Sequence, residues 1–230
     1  MLITDQAASG RRLTGWGGVF GALLGWATLV FVVLATGGDL QMTYRPADFL
    51  AQPAERHQLF VIAMLLDVLG FYVPLLLMAG YFWSRLRQAQ GALMDIAALC
   101  AVAYAVLGLV GAGLLIATLE PLAKAWALAE PVARPGVEAA WLAISYAVQQ
   151  GVWLLEGPVM GLWGVLVGRA LRVSGLPYGR LLMALGLGYA GFFAASALGM
   201  AMLVEVLQLL VVALLPLWML LSGIHLLREA

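Results

Sequence analysis

Six apolar runs, each about the length a helix needs to cross a bilayer, constrain this chain more than any other feature. A hydrocarbon core of about 30 Å takes about 20 helical residues. The runs fall near 13–36, 58–82, 93–119, 138–168, 181–200 and 204–227. Composition agrees, with 64% apolar and 10% charged residues and a mean hydropathy of +0.99. The fold class is therefore an all-α, polytopic membrane helix bundle, with residues 1–230 forming one transmembrane domain. The boundary between the last two spans is the weakest. Only Glu205 and Gln208 interrupt the apolar stretch over 181–227, so a tight hairpin over 199–205 is expected. Arg11 and Arg12 precede the first run, which is too long for a signal-peptide core and lacks a cleavage site, so it is read as the first helix.

Flanking charge sets the expected orientation. Arg11, Arg12, Arg85, Arg87, Arg169, Arg172, Arg180 and Arg228 fall on one side, and Arg45, Arg56, Lys124 and Arg134 on the other. Eight against four places both termini in the cytoplasm. The longer loops, 37–57 and 120–137, then lie outside, and the second has room for one short interfacial helix between its prolines. They are either plain connectors or a lid over the bundle. The chain has no asparagine, one lysine and eleven arginines, a bias that GC-rich coding produces. This points to a bacterial cytoplasmic (inner) membrane protein.

The same inventory removes several function classes. Net charge is zero and the basic residues are scattered, which argues against a nucleic-acid partner. Cys100 is the single cysteine, so there is no internal disulfide and no multi-cysteine metal site. His57 and His225, the two histidines, are expected at opposite membrane faces, where they cannot form a bis-histidine haem or metal site. No metal and no cofactor is expected. Residues 186–191 match a dinucleotide-binding glycine spacing, but no strand precedes them and they lie inside a span.

Glycine spacing indicates how the helices associate where lipid removes the hydrophobic drive between them. Gly17, Gly21 and Gly25 form one stripe on the first span, and Gly157, Gly161, Gly164 and Gly168 another on the fourth. Either stripe can meet a helix of this chain, a second copy in a homo-oligomer, or another subunit of a larger membrane complex.

Asp67 and Glu156 are the main functional clue. Both fall near mid-membrane at about 1.5 Å of rise per residue. An acid there is costly and usually faces a packed interior or a wet cavity. No cation lies at that depth, so at least one of the two is expected to be neutral at pH 7, sharing a proton or bonded to Gln149, Gln150, Tyr72 or Tyr146. Gln149, Trp153, Glu156 and Met160 repeat at four, three and four residues, a stripe on one helical face. Met64, Asp67, Phe71, Pro74 and Met78 do the same on the second span. Pro74 and Pro158 remove backbone donors, which would free the carbonyls of Gly70 and Leu154 beside the acids. The candidate ligand or proton site is thus Asp67, Glu156, Gln149, Gln150, Trp153, Tyr72 and Tyr146. Asp95 is expected to meet water, helix N–H groups, Arg85 or Arg87. Trp83, Trp126 and Trp141 suit an interfacial belt, and Trp153 and Trp163 the interior.

Residues 160–193 together with 214–226 carry a resemblance. Gly161, Trp163 and Gly168, the turn at 174–177, Gly186 to Tyr189, and Trp218 with Gly223 resemble the C-terminal half of the bacterial six-helix family called domain of unknown function 4386. The opening at 11–25 is similar to that family's start. The resemblance implies six helices with cytoplasmic ends and supplies no activity. Three functions follow from the residues: binding or transport of a small amphipathic ligand or protons at a midplane polar pocket, an accessory subunit of a larger complex, and an embedded enzyme using an acid on a lipid or isoprenoid substrate. The first is favoured, and the enzyme ranks last for want of a metal motif or a histidine base.

Overall fold

Every apolar run is helical, as it must be where no water can satisfy an open backbone. The computed structural model describes the backbone of residues 2–229 and the side chains of residues 9–229. In chain order the elements are α1 (Leu2–Thr36), a 3-10 turn (Met42–Tyr44), α2 (Pro46–Leu50), α3 (Ala54–Asp67), a π-helical turn (Val68–Tyr72) and α4 (Val73–Gln90). There follow α5 (Ala92–Leu128), α6 (Arg134–Tyr146), a second π segment (Ala147–Val152), α7 (Glu156–Val173), α8 (Gly179–Ala197) and α9 (Ala201–Arg228). The fold is 88% helical with no strand among the described residues, and six helical stretches are long and apolar enough to span a membrane. The second and fourth spans are each built from two α-helices joined through π geometry.

The connections are shorter than the sequence suggests. A single glycine, Gly91 at φ 59°, separates α4 from α5, and the α8–α9 hairpin turns over 198–200 with Gly199 at φ 68°. Only glycine adopts such left-handed angles without a side-chain clash. The expected external loop at 120–137 is mostly helix. Instead of holding a separate interfacial helix, it continues α5 through Pro121 to Leu128. The reason lies in strong helix formers over 122–128 and an i,i+4 ion pair between Glu120 and Lys124 at 2.5 Å.

Arg11 and Glu229 lie 4.0 Å apart, so both chain ends sit at one end of the bundle. Alternating spans then bring Arg85, Arg87, Arg169, Arg172, Arg180 and Arg228 to that end, and Arg45, Arg56, Lys124 and Arg134 to the other.

The glycine stripes meet helices of this same chain. A Cβ at Gly21 would strike Pro74 and Met219, and one at Gly25 would press on Pro216 and Phe71. A Cβ at Gly164 would lie 2.8 Å from the Cα of Gly186 on α8, and one at Gly168 would lie 2.6 Å from the Gly179 carbonyl. The approaches at Gly164 and Gly168 put backbone against backbone, the packing that replaces a hydrophobic drive in lipid.

Two apolar clusters fill the interior. One, toward the termini, holds Trp163, Trp218, Tyr104, Leu75 and Met78, and the other holds Phe49, Phe60, Trp141, Leu115 and Leu119. In the second, Phe49 stacks on Trp141 at 5.0 Å, so Trp141 is a core residue and not part of the expected interfacial belt. Its indole N–H donates to the Thr43 carbonyl at 2.9 Å, which ties the 3-10 turn down onto α6. Val68 packs against both clusters, so the level of Asp67 is the junction between them.

Candidate functional site: a carboxyl–tyrosine cluster at the helix breaks

Both acids stand where a spanning helix changes register. On the second span Val73 donates to the Val68 carbonyl, an i→i−5 bond, and Pro74 follows with no N–H to offer Gly70. On the fourth span Trp153 donates to Val148 at 2.8 Å, and the chain then tightens, with Glu156 donating to Trp153 and Gly157 to Leu154, each at 3.1 Å. The Leu154 carbonyl is therefore not freed by Pro158 as the sequence suggested. The tightened turn supplies it with the next donor along. π-bulges of this kind recur at functional sites.

The register change decides which side chains meet. Five residues apart on a regular α-helix, side chains point about 140° away from each other. The π turn over 68–72 brings Asp67 and Tyr72 to one side instead, with Asp67 beside the Tyr72 hydroxyl. The same hydroxyl donates to Oε1 of Glu156 at 3.0 Å, linking the second span to the fourth. The two carboxyls are near enough to interact electrostatically. Glu156 is 8% exposed, whereas Asp67 is half-buried. Among the described residues neither acid has a Lys, Arg or His partner.

Two further tyrosines extend the cluster. Tyr104 on α5 lies 5.0 Å ring to ring from Tyr72, and Tyr189 on α8 meets the Tyr104 ring edge-on at 6.3 Å. Both stand within the electrostatic reach of Asp67 and Glu156. Five polar side chains from four spans thus occupy one level of the bundle.

Glycines on α5 make the room. A Cβ at Gly108 would overlap the Tyr72 ring, and one at Gly111 would overlap the Trp153 indole. The Trp153 N–H is buried there without an acceptor. Tyr104, Tyr189, Gly108 and Gly111 escaped the sequence reading. The available signal was the small-residue repeat Ala97, Ala101, Ala105, Gly108 and Ala112, which is the buried face of the third span.

Three of the expected site residues go elsewhere. Gln149 donates to the Thr43 hydroxyl at 3.2 Å, Gln150 to the Tyr44 hydroxyl at 2.9 Å, and Tyr146 packs on Tyr44 with ring centres 4.9 Å apart. All three clamp the 3-10 turn, because the π segment and the turn at 153–155 break the α-helical stripe that would have aligned Gln149 with Glu156. The second-span stripe also divides. Phe71 and Pro74 face the α1 glycines, whereas Tyr72 faces α5 and α7.

The remaining candidates have local partners. Asp95 accepts from Trp83 at 2.8 Å and from Arg87 at 2.7 Å. His57 bonds to the Phe49 carbonyl, and His225 lies 3.1 Å from the Glu229 carboxylate, at opposite ends of the bundle. Comparison with protein-family models, with curated proteins and with solved structures found no match.

Proposed function

We propose that this chain is a multi-pass protein of the bacterial cytoplasmic membrane, with both ends in the cytoplasm, whose midplane cluster takes up protons and passes them between helices. The observation that carries the reading is the Tyr72 hydroxyl, bonded to Glu156 and flanked by Asp67, at the junction of two interrupted spans. A phenol has one proton to give and two lone pairs to receive. When Tyr72 hands its proton to Glu156 and takes one from Asp67, a proton moves from the second span to the fourth and the tyrosine ends unchanged. The Tyr104–Tyr189 pair offers a continuation toward α8. Intramembrane acids serve proton relays in pumps and transporters in this way.

Protons fit this site better than an amphipathic ligand does. The Glu156 carboxyl is already bonded within the chain, and the Tyr72 and Trp153 rings fill the hollows over Gly108 and Gly111. The accessory-subunit reading rested on glycine stripes that helices of this chain already cover. The likeness to domain of unknown function 4386 belongs to the proposal only through its six helices and cytoplasmic ends.

The test is proton flux into vesicles carrying the purified protein and an internal pH dye under an imposed potential. Wild-type vesicles are expected to acidify faster than empty ones, and Asp67→Asn or Glu156→Gln to abolish the difference. Flux equal to that of empty vesicles, or unchanged in both variants, overturns the proposal.

A further inference from the structure

At the end of the bundle that carries both termini, α4, α9 and the turn before α8 enclose a cleft lined by the polar side chains of Tyr81, Arg85, Tyr178, Ser222 and His225 and by apolar ones that include Phe82. Its enclosed part is about 10 Å³, room for roughly one water, so a ligand seats at its mouth. Arg85 is the cation available there. It donates to the Tyr81 hydroxyl at 3.0 Å and has no carboxylate partner among the described residues, whereas Arg87 is held by Asp95, and Glu229 sits between Arg11 and His225. Tyr178 adopts φ 63°, a left-handed angle that a bulky residue takes only under constraint from its surroundings, and its ring meets His225 edge-on at 6.5 Å.

Farther along α9, between it and α8, runs an apolar groove of about 170 Å³, whose walls include Leu181 and Gly188 on α8 and Leu210 and Leu214 on α9. A Cβ at Gly188 would press on Val211, so the glycine helps keep the two helices close at the groove's base. Leu214 precedes Ser222 by eight residues on α9, which is about 12 Å along the axis. Passing inward from the membrane surface, a polar, arginine-bearing cleft is followed by an apolar groove. A glycerophospholipid presents its groups in the same order.

We infer that an anionic phospholipid binds here, with its phosphate at Arg85 and one acyl chain along the α8–α9 groove. Eight of the twelve cations lie at this end of the bundle and supply the field that draws an anionic headgroup to it. Guanidinium suits phosphate because its forked N–H groups bind two oxygens at once. Neither feature depends on the proton cluster, so the lipid site stands or falls separately.

Native mass spectrometry of the detergent-purified chain tests it, with phosphatidylglycerol, phosphatidylcholine and inorganic phosphate as probes. Wild-type protein is expected to retain phosphatidylglycerol about tenfold over phosphatidylcholine, the factor that one charge-assisted contact gives. Arg85→Gln should erase that preference. Leu210→Trp, on the exposed wall of the groove, should lower retention of both lipids with the elution profile unchanged. Equal retention of the two lipids by wild-type protein, unchanged retention in Leu210→Trp, or displacement of the lipid by inorganic phosphate overturns the inference, the last by identifying a site for the free anion.

Discussion

Tyr72 bears more on the proposed relay than any other residue, because its hydroxyl donates the hydrogen bond that ties the second span to the fourth. Removing it leaves the buried Glu156 carboxyl without that donor. Tyr72→Phe is therefore expected to lower stability by about 1–3 kcal/mol, read as a lower unfolding temperature in detergent. Gly108→Ala tests the seat of the same ring. Its methyl group has no space against Tyr72, so a loss of about 1–3 kcal/mol is expected, whereas Gly113→Ala on the same helix meets nothing and should be neutral or slightly stabilising. Equal unfolding temperatures for the two alanine variants would contradict this packing. At this scale the sequence was legible where a residue type clashed with its surroundings. Asp67 and Glu156 stood out as acids in apolar runs. Tyr104 and Tyr189 did not, since a tyrosine in a span is ordinary and its partner lies on another helix.

Helix breaks account for what the sequence reading placed wrongly. Pro74 and Pro158 marked the right places, but a proline does not state whether the chain answers with a kink, a π turn or a tightened turn. The π turn over 68–72 is what brings Asp67 to Tyr72, and the segment over 147–152 is what turns Gln149 and Gln150 toward the 3-10 turn instead of the acids. A periodicity of 3.6 residues cannot reveal either. The extension of α5 past Pro121 shows the same limit, with local helix propensity outweighing one proline. Gly175 holds φ 70° after α7 with nothing within 4 Å of a would-be Cβ, so Gly175→Ala should cost about 1 kcal/mol from backbone strain alone, measurable by thermal unfolding. Trp141→Phe removes the bond to the Thr43 carbonyl, and amides over 42–50 should then exchange faster with solvent deuterium while those of α7 and α8 do not change.

For the whole molecule, the bilayer made the sequence readable. A fixed hydrocarbon thickness sets span length, so all six spans were visible in the chain, and their alternation sorts the arginines to the two ends of the bundle. The glycine stripes announced close helix contacts but not their partners, which only the assembled bundle identifies as the π turn over 68–72, α4, α8 and α9 of the same chain. The carboxyl–tyrosine cluster depends on contacts between spans far apart in sequence, such as residues 72 and 156, and no local pattern encodes these. A relay through the Tyr72 hydroxyl is tested by comparing proton flux into vesicles containing wild-type protein with flux into vesicles containing Tyr72→Phe, at matched protein content and below both unfolding temperatures. A positioned proton donor is worth about 100-fold or more in rate. The phenylalanine variant, still folded, is expected to lose nearly all flux above the empty-vesicle baseline. Wild-type flux in that variant would contradict a relay through the Tyr72 hydroxyl.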